Sequence, residues 1–173
     1  SQAAQRAFEL GVVICNSAGN EGPDIVTIGA PADSPGVLAI AAVDSAGEVT
    51  GFSSRGPSSD GRLKPDVAAM GRQVVCISPQ TWDKYSRWNG TSLSCPIVAG
   101  VVALIREAHP DWTAREVVTA LKETANRTER PDYSYGFGIV NATAAIDYPA
   151  ISGRIVFAFY DNTDGSNVIG NRG

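Results

Sequence analysis

Histidine is nearly missing from this chain: His109 is the only one in 173 residues, beside one methionine and three cysteines. An odd number of cysteines rules out complete intramolecular pairing, and Cys15, Cys76 and Cys95 lack the spacing of a metal site. In apolar surroundings they read as buried free thiols. Basic runs are also absent, and a formal net charge of -4 argues against nucleic acid as the main partner. No signal-peptide pattern occurs, and the apolar run over 97–105 is far too short to cross a bilayer. The opening residues, with Ala3, Ala4, Ala7, Phe8 and Leu10 among polar neighbours, read as the middle of a helix. A chain that starts there looks cut from something longer, so the missing signal says little about location.

What is present suits one domain with a real core, at 43% hydrophobic and 18% charged residues. Gly11-Val12-Val13-Ile14-Cys15 and residues 37–43 are continuous apolar runs, expected as strands buried on both faces of a parallel sheet. Residues 64–69 make a third short strand, and 74–78 with 85–88 a hairpin in which Trp82, Tyr85 and Trp88 pack. Thr113 with Glu116 three residues on is a capping box, ahead of a helix whose apolar face is Val117, Val118, Ala120, Leu121 and Ala125. A Gly-punctuated link over 135–141 leads to a last helix over 142–148. Residues 154–160 suit a strand, and 162–173 suit a fraying tail. His109, at a helix end before Pro110, reads as structural.

The stretch Asn89-Gly90-Thr91-Ser92-Leu93-Ser94-Cys95-Pro96 reads as a tight turn feeding a helix that should be buried on every side. Thr91 or Ser92 suits an N-cap, and Pro96 falls where first-turn amides have no partner. A hydroxyl here has two readings, a capping serine or a nucleophile. The helix N-terminus favours an anion forming beside Ser92. The loop Asn16-Ser17-Ala18-Gly19-Asn20-Glu21-Gly22-Pro23 follows the first strand's carboxyl end, where ligands bind in open α/β sheets. By itself it is also an ordinary turn.

The segment from Asn89 to Pro96 closely resembles the nucleophile motif of subtilisin-like serine proteases. Ser17-Ala18-Gly19-Asn20-Glu21-Gly22 resembles the segment in which that family places its oxyanion asparagine. Ile28-Gly29-Ala30-Pro31, Phe52-Ser53-Ser54-Arg55-Gly56-Pro57 and residues 135–141 resemble further family segments, so the likeness runs over 11–148.

The resemblance implies an α/β, subtilisin-like three-layer fold with a mostly parallel sheet, incomplete because the amino-terminal half is absent. Residues 1–149 are then the carboxyl-terminal part of a catalytic domain, and 150–173 an extension or the start of another. It implies Ser92 and Asn20 as catalytic residues, with Ser17, Ala18, Gly19 and Gly29 shaping the substrate pocket. Glu21 at the rim would tolerate Lys beside large apolar P1 groups.

The family's Asp and His lie upstream of its oxyanion asparagine, and here no histidine precedes His109. Peptide hydrolysis belongs to the parent protein, and this piece is expected to be inactive. It is also expected to pair with the missing half, to self-associate or to rearrange. The implied substrate is a peptide or protein, with neither nucleic acid nor membrane as partner, and the implied location is secreted or extracytoplasmic. The chemistry requires no cofactor and no metal. A structural calcium or monovalent cation is allowed by the resemblance, at the carbonyl-rich loop 32–36. Two rivals stay open: a sedolisin-type peptidase, which typically uses Asp where this chain has Asn20, and a non-catalytic pseudoprotease or interaction module.

Overall fold

A computed structural model describes residues 1–78, 81 and 83–149; the extension 150–173 and Trp82 lie outside the described residues. Among those described, strands β1 (Ile14–Ser17), β2 (Val37–Val43) and β3 (Val67–Met70) form a parallel sheet in the order β1-β2-β3. Ile14 stands beside Val37, and Ile40 beside Val67. β4 (Val74–Ile77) and β5 (Tyr85–Trp88) make the antiparallel hairpin. Helices α1 (Gln2–Glu9), α2 (Thr91–Ala108), α3 (Ala114–Glu123) and α4 (Ala142–Ile146) complete the fold.

β2 is the centre of the molecule, buried along its whole length as a continuous apolar run should be. α2 lies across all three sheet strands, and α3 and α4 lean on α2. Leu38 and Ile40 from the sheet meet Val98, Val102 and Ile105 from α2 and Leu121 from α3 in one cluster. Each such side chain taken from water contributes about 1.5–3 kcal/mol. The capping box forms as expected: Thr113 Oγ1 accepts from the Glu116 amide, and the Glu116 carboxylate accepts from the Thr113 amide.

Several expectations are corrected. β1 begins only at Ile14 and is half-buried, because among the described strands it pairs with β2 alone. α2 is not covered all round. Thr91, Ser94, Val98, Val101, Val102 and Ile105 are buried, while Ile97 and Leu104 are 41% and 48% exposed. The helix also extends beyond the run 97–105. At 18 residues and a mean hydropathy of 1.4, it is long and apolar enough by composition to cross a membrane. Its packing on the sheet identifies it as a core helix. Tyr85 at 75% exposure hardly packs, and Trp88 is 41% exposed.

A buried charge network, not foreseen from sequence, ties β2, β3 and α3 together. Lys64 Nζ donates to the Val37 carbonyl and pairs with Asp66 Oδ2, both at 2.6 Å. Asp66 Oδ2 also accepts from the Ala39 amide, and Asp66 Oδ1 pairs with Lys122. Burial lowers the Lys64 pKa against the opposing pull of Asp66.

Candidate active site

The site forms where the chain leaves β1 and where α2 begins. The Ala18 amide still bonds to the Ile40 carbonyl, and Ala18 is buried. Gly19 then turns with φ +116. A Cβ there would strike the Ser54 hydroxyl and the Glu21 carboxylate, so the position needs glycine for conformation and for space. Ser54 fastens the turn from the other side. Its amide donates to the Gly19 carbonyl, and its hydroxyl accepts from the Glu21 amide and donates to Glu21 Oε2 at 2.8 Å.

Beyond the turn, the Asn20 side chain reaches the first turn of α2. Asn20 Oδ1 accepts from the Thr91 amide at 2.9 Å and from Thr91 Oγ1 at 3.0 Å. Thr91 Oγ1 in turn accepts from the Gly19 amide at 3.3 Å. Two donors on Oδ1 settle the amide's orientation and leave Nδ2 as the free end.

Neither Thr91 nor Ser92 is the N-cap. Gly90, with φ +153, occupies that position and has no side chain to cap with, so the first amide of α2, that of Thr91, is capped from a distance by Asn20 Oδ1. Thr91 is fully buried because its hydroxyl spans to Asn20 and Gly19, whereas Ser92 is exposed. Pro96 lies inside the helix, beyond the first turn, and so removes the amide that would have bonded to the Ser92 carbonyl. An ideal Cβ built on Gly90 would stand 3.0 Å from Ser92 Oγ and 3.9 Å from Asn20 Nδ2. One point in space therefore faces both groups. Among the described residues, no protein acceptor takes the Ser92 amide, which leaves a helix-terminal donor beside that point.

A sequence model of the subtilase family matches residues 1–138. The chain belongs to the subtilase family. It is 35% identical over 165 residues to "Serine protease AprX" of Bacillus subtilis, covering 84% of this chain and 37% of that protein. It is 38% identical over 142 residues to "Subtilisin" of Bacillus pumilus, covering 81% of this chain and 48% of that protein. Among solved structures, the prenylagaramide maturation protease PagA superposes with a TM-score of 0.68 at 29% identity, over 84% of this chain and 54% of that one. The chain thus spans between a third and about half of these relatives' lengths. The family match also takes in α1, ahead of the region 11–148 in which the sequence showed its likeness.

In this subtilase chain, Asn20, Thr91 and Ser92 converge, with Gly19 completing the junction. Ser17 ends β1, half-buried. Gly29 is exposed, but its neighbour Ile28 shares a small apolar cluster with Ala18 and Ala39, which ties the 28–31 loop to the strand end. His109 is not brought in. It is the C-cap of α2, about 25 Å from Ser92 at 1.5 Å per helical residue. Its Nε2 bonds to the Ile146 carbonyl, and its ring stacks on Trp112 at 3.9 Å.

The three cysteines are free and half-buried. Burial, with the neighbouring Cys95 thiol second, pushes Cys15 up to about 12, and burial raises Cys95. Among the described residues, no three His, Cys, Asp or Glu side chains converge on a metal position. What the sequence reading missed is Thr91, whose hydroxyl positions the asparagine. No local pattern signals this role, because the partners of its hydroxyl, Gly19 and Asn20, lie more than 70 residues away in the chain.

Proposed function

We propose that this chain supplies the nucleophile and the oxyanion donors of a subtilisin-like serine endopeptidase. The observation that carries this reading is the shared point beside Gly90, 3.0 Å from Ser92 Oγ and 3.9 Å from Asn20 Nδ2. A scissile carbonyl brought there meets a hydroxyl on its carbon. As Oγ attacks, the carbonyl oxygen gains charge and accepts from Asn20 Nδ2 and the Ser92 amide, both fixed before the reaction. Collapse of the tetrahedral intermediate expels the amine and leaves an ester on Ser92, which water then hydrolyses.

The proton on Ser92 needs a base, and His109 is out of reach. The base and its orienting carboxylate belong to the complementary part of the catalytic domain. Two surfaces suit that partner, or a second copy of the chain: the outer edge of β1 and the face of α2 that carries Ile97 and Leu104. Apolar area of this kind drives association when left open. The 173 residues by themselves are inactive. Loss of the base in subtilisin costs about six orders of magnitude in kcat, a family value carried over here.

Ser17, Ala18, Gly19 and Gly29 shape the pocket for the P1 side chain, and Glu21, held by Ser54, places a carboxylate at its rim that accepts Lys beside large apolar groups. The substrate is a peptide or protein, met outside the cytoplasm as for secreted subtilisins. Asn20 at the oxyanion position disfavours the sedolisin reading. The position of His109 is the one observation that favours a non-catalytic module. A fluorophosphonate probe applied to the intact protein that contains this chain separates the two. Labelling that maps to Ser92 and vanishes in Ser92→Ala supports the protease, and an unlabelled Ser92 in folded protein overturns it.

A further inference from the structure

We infer that Arg62 and Lys64 are the resident cations of the loop 32–37, which therefore holds its shape without a metal ion. Backbone carbonyls grouped in a loop are ligands for a hard cation such as calcium, and the family resemblance allows one at residues 32–36, just ahead of the Val37 carbonyl. In the structure the carbonyls of Asp33, Ser34 and Val37 already meet protein donors. Arg62 Nη2 donates to the Asp33 carbonyl and Lys64 Nζ to the Val37 carbonyl, each at 2.6 Å. The Ser34 carbonyl accepts from the Val37 amide at 3.2 Å, and the Pro31 carbonyl from the Ser34 amide at 3.0 Å.

The carboxylate beside Arg62, that of Asp60, is engaged as well. Arg62 Nε donates to Asp60 Oδ2 at 2.8 Å, and Ser58 Oγ donates to Asp60 Oδ1 at 2.6 Å. The Ser58 bond, then the Arg62 bond, hold Asp60 down to about 2. From the opposite side, Gln5 on α1 accepts from the Gly36 amide at 2.7 Å, and Ser1 Oγ donates to Asp33 Oδ1 at 2.6 Å. A metal ion at these carbonyls would stand against two positive charges, one of them on Lys64 at 2% exposure. The donor set present does not fit a metal, and the inference is independent of the catalytic reading.

Hydrogen-exchange mass spectrometry of the segment 31–38 tests this locally. The full chain is compared in chelator, in calcium chloride and in potassium chloride. Exchange that is the same in all three supports the inference, and protection gained on adding calcium overturns it. Arg62→Ser uncovers the Asp33 carbonyl and the Asp60 carboxylate, so its faster exchange should be slowed again by calcium or potassium, while Arg62→Lys should stay indifferent to both. An Arg62→Ser variant that exchanges faster yet ignores both ions overturns the inference. Should Arg62→Ser not fold, the parent chain and Arg62→Lys decide the matter.

Discussion

Asn20 and Thr91, 71 residues apart, hold one another through two hydrogen bonds, from the Thr91 amide and hydroxyl to a single side-chain oxygen. This clasp joins the end of a strand to the beginning of a helix and aims the free Asn20 nitrogen outward. Thr91→Val keeps the shape and removes the hydroxyl, leaving the Gly19 amide without its acceptor. We expect a stability loss of about 1–3 kcal/mol and a fall in kcat with KM little changed. Urea unfolding and steady-state peptidase kinetics of the intact protein that contains this chain check the two parts separately.

Ser94 is fully buried, and its hydroxyl has no hydrogen-bond partner. Ser94→Ala should therefore be neutral or stabilising by about 1 kcal/mol, since a buried unpaired hydroxyl carries a desolvation cost. Gly71→Ala should be strongly destabilising. Its methyl would be driven into Ser94 Oγ, and it would lie 2.6 Å from Ala42 Cβ and 2.9 Å from the Gly90 carbonyl. Combining it with Ser94→Ala should recover only part of the loss, because the other two neighbours stay. Denaturant midpoints of the three variants provide the check.

Lys64→Met leaves Asp66 with Lys122 as its one remaining cation and strips the Val37 carbonyl of its donor. Breaking a buried pair in this way costs about 3–5 kcal/mol. A midpoint close to that of the parent chain would contradict the network.

Glu116 titrates below its ordinary 4.5 because the Thr113 amide, then the Thr113 hydroxyl, bond to its ionised form. A depressed carboxyl pKa means a contribution fully present above 4.5 and lost as pH falls through the lower folded value. Glu116→Gln should flatten that part of the acid limb in a thermal melt series, leaving the rest of the profile in place.

The apolar face of α2 and the open edge of β1 lead to a further expectation. In sedimentation velocity the 173-residue chain should associate, or bind a supplied amino-terminal half of a subtilase catalytic domain. A dilute, cooperative monomer indifferent to that half would contradict it.

Local patterns were legible in the sequence. β2 announced itself as an unbroken apolar run, the hairpin as two runs across a turn, and α3 through Thr113 and Glu116. The Gly-Thr-Ser and Gly-Asn segments gave the family and the two groups that now face one point. What local patterns hid was long-range. Thr91 was taken as a cap because the partner of its hydroxyl lies across the molecule on Asn20. Gly90 makes the tight turn and also takes the N-cap position that Thr91 or Ser92 was expected to hold. The apolar content of α2 implied burial all round, yet burial depends on what packs against each face, and composition does not encode that. Lys64 and Asp66 were read into the third strand over 64–69, whereas β3 begins at Val67 and the two side chains form a buried pair just ahead of it.

The most direct measurement is the peptidase kcat of Asn20→Leu in the intact protein that contains this chain. If Asn20 Nδ2 receives the developing negative charge, kcat falls by about 10²–10³, the range for the equivalent donor in subtilisin carried over to this relative, and KM stays close to the parent value. An unchanged kcat would contradict the oxyanion role and, with it, the reading of the junction between β1 and α2.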